Sequence, residues 1–291
     1  MKLPLITLIG STGTIGQELV RLLSEAGVPL RAVLRNIHRA HSLPGVTWLQ
    51  ADVSDPSLRD ATLAGTDRLF LLTGNQPGFG QTQIDVIRAA EELGVKHVVK
   101  LSALGATPRT KSPLAHEHWM AEQALEESEM TWTILRPHAF MQNWLGDVAE
   151  TVRSEATIYA AIGDGKVPFI DARDIAAVAA EILLHPEPHA GKRYVLTGGE
   201  AVGYDQLAEA LSQAIDSPVT YRSLSMDEMR ARMEDQGLSE SMIDSYLALA
   251  AYQKAGGPTA RVSDSVREIL GRKPRTIVDF ARDYQADFRP R

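Results

Sequence analysis

The chain has 291 residues, of which 44% are hydrophobic and 23% are charged, and its formal net charge is −7. That charge opposes binding to polyanions, so we expect no nucleic-acid partner. The lack of cysteine excludes disulfides, thiolate metal sites and cysteine nucleophiles. No apolar stretch approaches a membrane span, and residues 1–10 predict a strand that runs into a glycine loop rather than a signal peptide. We therefore expect a cytoplasmic protein that does not insert into a membrane.

Short apolar runs alternate with helical periods through the first half of the chain. Strands are predicted over 5–10, 30–35, 46–53, 67–74, 96–105 and 130–137. The helices predicted over 14–27 and 81–94 each end on a glycine. This alternation is typical of an α/β fold of the Rossmann type, a doubly wound parallel sheet with both faces covered.

The pattern changes after about residue 150. Strands predicted over 166–171 and 192–198 are isolated, and helical periods dominate from residue 203 onward. We predict a dinucleotide-binding Rossmann domain over 1–155 and a smaller, mostly helical lobe over 156–291, with strand 192–198 able to join the main sheet.

The first loop, GSTGTIG at 10–16, has the spacing of a phosphate-binding turn between a strand and a helix. Gly10 permits the tight turn, Gly13 lets a pyrophosphate approach the backbone, and Gly16 lets the helix pack closely. The helix N-terminus then offers unpaired N–H groups to the phosphates. We predict a dinucleotide site, with a plain glycine-rich turn as the alternative. The predicted contacts from this loop are Gly10, Thr12, Gly13, Thr14, Ile15 and Gly16.

The end of the second strand indicates which dinucleotide binds. Arg35 stands where the adenosine ribose is expected, and an arginine suits a 2′-phosphate whereas an acidic residue would bind a 2′-hydroxyl group. No Asp or Glu occurs between residues 26 and 51. This favours NADP(H) over NAD(H), with a solvent-facing arginine at a strand end as the alternative.

Later strand ends extend the predicted cofactor site. Asp52 is placed to accept from the adenine amino group and Val53 to pack on the ring, with a turn aspartate as the alternative. Thr73 and Gly74 lie at the sheet edge where the nicotinamide is expected. The predicted contacts from these strand ends are Asp52, Val53, Thr73, Gly74, Ser102 and Pro137.

Several longer motifs occur along the chain besides the glycine loop. They are VLRN, KHVVKLSALGA, HWMAE, WTILRPHAFMQNW and GDGKVPFIDARDIA. Together they resemble the NmrA-like branch of the atypical short-chain dehydrogenase/reductases, over nearly the whole chain. The resemblance implies a Rossmann domain, an NADP(H) site and a substrate cleft between domain and lobe. The branch includes quinone, azo-dye and triphenylmethane-dye reductases, and redox-sensing regulators that bind the cofactor without turnover.

The candidate catalytic residues differ from those of short-chain dehydrogenases that oxidise alcohols, which use Ser, Tyr and Lys. The chain keeps Ser102 but has no tyrosine before residue 159, and His118 and Glu122 stand in the Tyr and Lys places. His118 is a candidate proton donor, or it orients the cofactor ribose or Glu122 through a hydrogen bond. Ser102 is expected to touch the nicotinamide ribose or the substrate, or to bond to local backbone. Glu122 is expected to pair with His118 or to face solvent.

A delocalised acceptor fits these residues. A quinone, an azo bond or a cationic dye spreads the electrons that it gains and can take a proton from water, so the protein need only hold it against the nicotinamide. Phe140, Met141 and Trp144 are the predicted substrate contacts. The sequence therefore predicts an NADPH-dependent oxidoreductase acting on a conjugated or aromatic small molecule. The alternatives are a cofactor-sensing regulator that binds a protein partner, and an isomerase- or imine-reductase-like activity.

A metal site is not predicted. The two histidines of HEH at 116–118 are two residues apart on a predicted helix, so they point to nearly opposite faces, whereas helical metal ligands lie three or four residues apart. The sequence leaves the oligomeric state open.

Overall fold

The apolar runs of the first half form a parallel sheet. A computed structural model describes residues 3–290, apart from the side chain of Ser241. The strands are β1 (Ile6–Ile9), β2 (Leu30–Leu34), β3 (Val46–Gln50), β4 (Arg68–Leu71), β5 (His97–Leu101), β6 (Thr131–Pro137), β7 (Thr157–Ala160), β8 (Lys192–Leu196) and β9 (Thr220–Ser223). Within the described residues, seven of these strands lie in the order β3-β2-β1-β4-β5-β6-β8, each parallel to its neighbours. The order reverses at β1, which confirms the predicted doubly wound sheet.

Helices cover both faces of this sheet because its strands carry apolar side chains on both. The helices are α1 (Thr14–Glu25), α2 (Pro56–Leu63), α3 (Phe79–Glu92), α4 (Pro113–Glu126), α5 (Asp147–Glu155), α6 (Ala172–Leu184), α7 (Tyr204–Ile215), α8 (Met226–Asp235), α9 (Glu240–Ala255), α10 (Ser265–Leu270), α11 (Ile277–Asp283) and α12 (Gln285–Phe288). Leu69 and Leu71 of β4 join a core with Ile87 of α3 and Leu125 of α4. Phe70 between them is also fully buried and faces the opposite side, since side chains alternate along a strand.

The chain divides into two units, each made of several segments. Unit 1 contains the chain up to Pro137, Ala172–Leu196 and Glu268–Gly271, whereas unit 2 contains His138–Asp171, Thr197–Arg267 and the chain from Arg272 onward. This division differs from the predicted boundary at residue 155. The chain leaves unit 1 at the end of β6. It returns for α6 and β8 because β8 pairs with β6 at the edge of the main sheet, and it returns once more for Glu268–Gly271.

Unit 2 is mostly helical and has its own apolar core. Its two strands, β7 and β9, pair in parallel. Trp144 lies in the core, where its ring packs edge to face against Phe280 at 5.4 Å between ring centroids. Among the residues that the structure describes, no helix combines the length and the apolar character needed to cross a membrane.

Candidate functional site

A cleft of about 530 Å³ opens in unit 1 among the loops that follow β1, β2, β3 and β4. These loops meet because the carboxyl ends of parallel strands share one edge of the sheet. The cleft is lined by eight of the residues predicted to bind the cofactor, namely Gly10, Thr12, Gly13, Arg35, Asp52, Val53, Thr73 and Gly74. The structure therefore brings together residues from four separate strand ends.

The glycine loop has the shape that a bound pyrophosphate requires. Gly10 has a φ of +89°, and a Cβ atom there would lie 2.5 Å from the carbonyl oxygen of Leu72. A Cβ at Gly16 would lie 2.0 Å from the carbonyl oxygen of Gly10, so α1 can begin this close to the loop only with glycine. At Gly13, in contrast, the nearest atom would be 3.7 Å away, which leaves this backbone open towards the cleft.

Two arginines follow β2 and line the same cleft. Arg35 is exposed, and Arg39 donates a hydrogen bond of 2.9 Å to the carbonyl oxygen of Thr12 in the glycine loop. Their guanidinium groups give the cleft positive charge next to the glycine loop, and guanidinium groups bind phosphate in a bidentate manner. The residues present therefore fit a dinucleotide that carries a 2′-phosphate.

Asp52 takes part in a turn. Its Oδ1 atom accepts hydrogen bonds from the amide and the hydroxyl group of Ser54, at 3.0 and 2.8 Å. These two bonds lower the pKa of Asp52, and the charge of Arg35 adds a smaller effect in the same direction. The turn that we gave as the alternative is thus present, while a contact between Asp52 and an adenine ring stays a prediction.

The segment after β4 forms a wall of the cleft that the sequence did not predict beyond Gly74. Residues 76–79 and Thr82 line the cleft. Glu117 of α4 accepts hydrogen bonds from the amides of Gly78 and Gly80, at 3.1 and 2.7 Å, and so caps the start of α3. The glutamate of the HEH motif therefore holds the cleft wall. The position of this segment directly after a strand is the sequence feature that could have identified it as part of the cleft.

Some predicted cofactor contacts do not line the cleft. These are Thr14, Ile15, Gly16, Ser102 and Pro137. Ile15 is buried in the core, and Gly16 packs against Gly10. Their contact with the cofactor stays a prediction.

Glu122 of α4 is fully buried and bonds with two groups that were not predicted for it. Ser102 donates its hydroxyl to this carboxylate, and Arg136 of β6 binds both carboxylate oxygens through Nε, at 3.0 Å, and Nη2. The expectation that Glu122 pairs with His118 or faces solvent is wrong, because a buried carboxylate needs a cationic partner and β6 supplies one. Ser102 bonds to this side chain rather than to local backbone.

His118 is held by a lysine. Nζ of Lys100, on β5, lies 3.3 Å from Nδ1 of His118 and 3.3 Å from the carbonyl oxygen of Leu101. Burial first, and the nearby charge of Lys100 second, lower the pKa of His118 to about 3. The ring is therefore neutral near pH 7, so the imidazolium cation is not its working proton source. Its partner is Lys100 and not Glu122.

The predicted substrate contacts lie in unit 2 in three different settings. Met141 is buried and lines a second cavity, of about 280 Å³, together with Phe169 and Ile277. Phe140 is half-buried. Trp144 is 2% exposed and packs within the core of unit 2, and its contact with the acceptor stays a prediction.

The comparison with known proteins covers almost the whole chain. The model of the NmrA-like family matches residues 3–281. An NAD(P)H azoreductase from Xenophilus azovorans is 38% identical over 98% of this chain and 99% of its own length. Quinone oxidoreductase 2 from Escherichia coli strain K12 is 31% identical over 94% of this chain and 96% of its own length.

A solved structure resembles this fold closely. The crystal structure of an NADPH-dependent quinone oxidoreductase from Escherichia coli, complexed with NADPH, superimposes with a TM-score of 0.84 and 28% identity. The match covers 95% of this chain and 98% of that one.

Proposed function

We propose that this chain, which belongs to the NmrA-like family and is an NADP(H)-dependent oxidoreductase, transfers hydride to a flat, conjugated acceptor of the azo or quinone type. Bound NADPH supplies the hydride. The cofactor class is that of the azoreductase and of the quinone oxidoreductase to which the chain is similar. The type of acceptor is the part that is proposed for this chain, and it corresponds to the names of these two relatives.

Residues of the cleft in unit 1 would hold the cofactor. The open backbone at Gly13 and the start of α1 would receive the pyrophosphate. Arg35 and Arg39 would bind the 2′-phosphate, since both line the cleft at the end of β2. Thr73, whose Oγ1 atom already accepts a hydrogen bond of 2.9 Å from Gln83, has its hydroxyl proton available for the cofactor.

The burial of His118 beside the ammonium group of Lys100 is the observation that favours a conjugated acceptor, because this setting disfavours the imidazolium form. Reduction of a simple ketone creates an alkoxide, which needs an acid within hydrogen-bond reach. The residue in the place of the usual tyrosine is a buried histidine with a pKa near 3. A conjugated acceptor instead spreads the negative charge that it gains, so its reduction depends less on a strong acid at the reacting atom.

A cofactor-sensing regulator is not favoured. The two relatives described above match nearly the whole chain at more than 30% identity, and both are named as reductases. The cytoplasmic location and the contacts from Phe140 and Met141 to the acceptor stay predictions.

NADPH oxidation followed by absorbance tests this function. Four acceptors are compared: an azo dye, a quinone, a cationic triphenylmethane dye and a simple ketone. NADPH binding is measured in the same preparation by the fluorescence of the cofactor. We expect binding, turnover with the conjugated acceptors and none with the ketone.

Two results would contradict the proposal. Turnover with the ketone at a comparable rate would mean that the protein supplies a strong acid. Tight NADPH binding without turnover of any acceptor would favour the regulator.

A further inference from the structure

A lysine without a carboxylate partner lies under the cleft wall. Lys100 is fully buried in the middle of the parallel sheet. Among the described residues, its ammonium group bonds only to neutral atoms, the carbonyl oxygen of Leu101 and the Nδ1 atom of His118. A buried charge without a counter-ion in contact costs stability, so this lysine needs an explanation beyond packing.

The partner of Lys100 lies directly behind the cofactor cleft. The ring of His118 packs edge to face against Phe79, at 4.7 Å between centroids, and Phe79 lines the cleft. An ammonium group only donates, so Nδ1 of His118 accepts from Lys100 and the neutral ring carries its own proton on Nε2. Nε2 has no hydrogen-bond partner among the described residues. This atom is not completely enclosed, so a small part of its surface is accessible.

We propose that Lys100 is the proton reservoir of the site and that His118 relays its proton to the acceptor after hydride transfer. The proposal rests on the reductase function proposed above. It makes Lys100 a positioning residue, which acts through His118 and does not itself touch the acceptor.

The relay balances without any further reagent. A neutral azo dye or quinone becomes an anion when it gains a hydride, and the anion forms a bond to the proton on Nε2 of His118. The electron pair of that N–H bond stays on the ring, which takes a proton at Nδ1 from the ammonium group of Lys100. Both residues end neutral. Water then returns a proton to Nε2 and leaves as hydroxide into the solvent, and the proton on Nδ1 passes back to Lys100.

The surroundings of Lys100 adjust its acidity for this role. Burial lowers its pKa to about 7, Glu122 acts against this effect, and Arg136 adds to it. The charged or titratable groups that approach Lys100 are His118 and Glu122 on α4 and Arg136 on β6. A proton donor is most effective when its pKa is close to the working pH. His118 alone cannot serve, since its ring is already neutral.

The choice of acceptors provides the decisive test. A cationic triphenylmethane dye becomes neutral when it gains a hydride and takes up no proton, whereas a neutral azo dye becomes an anion and takes up one proton. In Lys100→Met we expect kcat for the azo dye to fall about 100-fold. The loss with the cationic dye should be at least about tenfold smaller. Equal losses with both acceptors would overturn the proposal, because they would indicate a purely structural role.

The pH profile gives a second readout. In the wild type, kcat for the azo dye should fall as the pH rises through about 7, where Lys100 loses its proton. The profile of Lys100→Met should be flat in this range. Lys100→Arg keeps the positive charge but does not release a proton near neutral pH, so it should resemble the Met variant. Lys96→Met, which removes an exposed lysine just before β5, is the control and should keep the wild-type profile.

Nitrogen NMR of His118 tests the relay without turnover, and it therefore separates failure of the relay from failure of the proposed function. In ¹⁵N-histidine-labelled protein, the Nδ1 signal of His118 should be that of an acceptor and should shift near pH 7. The shift should be absent in Lys100→Met. A His118 signal that titrates identically in both proteins would overturn the relay, whatever the acceptor assays give.

Discussion

The cofactor cleft and the polar residues behind it differ in their exposure to water and in how their polar groups are satisfied. The cleft is open to water, and its predicted recognition groups are backbone amides after β1 and two arginines after β2. Behind it, Lys100, Ser102, His118 and Glu122 are buried and depend on one another for hydrogen bonds and charge. Substitutions in the cleft should therefore change binding more than stability. Substitutions behind it should change stability or chemistry more than binding.

Removal of the buried carboxylate should have the largest effect. Glu122→Ala leaves Arg136 and Ser102 without their partner, so we expect the free energy of unfolding to fall by about 3 kcal/mol. Urea denaturation measures this. Glu126→Ala is the matched control, because Glu126 lies one turn later on α4 and pairs with the half-exposed Arg193. Glu126→Ala should lower the free energy of unfolding by less than about 1 kcal/mol. Equal costs for the two variants would mean that burial of Glu122 contributes nothing.

Two glycines of the same loop should separate folding from binding. Gly16→Ala places a Cβ atom 2.0 Å from the carbonyl oxygen of Gly10, so α1 must move. We expect a loss of about 2 kcal/mol in stability together with weaker NADPH binding. Gly13→Ala has room for its Cβ and should change stability by less than about 0.5 kcal/mol.

Cofactor titration of both variants completes this comparison. Although its stability should be nearly unchanged, Gly13→Ala should bind NADPH about tenfold more weakly, since its methyl group would point towards the pyrophosphate. Unchanged NADPH affinity in Gly13→Ala would remove this backbone from the predicted phosphate site.

A charge reversal at the end of β2 should have the smallest effect. It should change only the preference between NADPH and NADH. In Arg35→Asp we expect the ratio of NADPH to NADH affinity to fall by at least about tenfold, because a charge-assisted hydrogen bond to the 2′-phosphate is lost. Thermal unfolding should change little. Arg88→Asp, an equal change of charge at an exposed position on α3 away from the cleft, should leave the ratio unaltered. An unchanged ratio in Arg35→Asp would refute the assignment of Arg35.

Strand ends were harder to predict than strands. The strand predicted over 67–74 is shorter in the structure, where β4 ends at Leu71. Leu72, Thr73 and Gly74 instead line the cleft. Apolar character continues past the end of the strand because the cleft is itself partly apolar, so hydrophobic pattern alone cannot locate the transition from sheet to site.

The sequence by itself determined the parallel sheet, the glycine loop and the arginine at the end of β2. Each depends on residues that are neighbours in the chain: an apolar run, a turn that only glycine allows, a strand end. These features need no knowledge of which elements pack together.

Only the tertiary structure decided the partners of the buried polar residues. The sequence predicts Lys100 only as one residue of a strand, and Glu122 as a partner of His118 or a solvent-facing residue. It assigns no role to Glu117. In the structure these three residues bond to His118, to Arg136 and to the start of α3, respectively. A buried charge is stable only with the partner that packing brings within about 3 Å, and packing joins residues that are distant in the sequence.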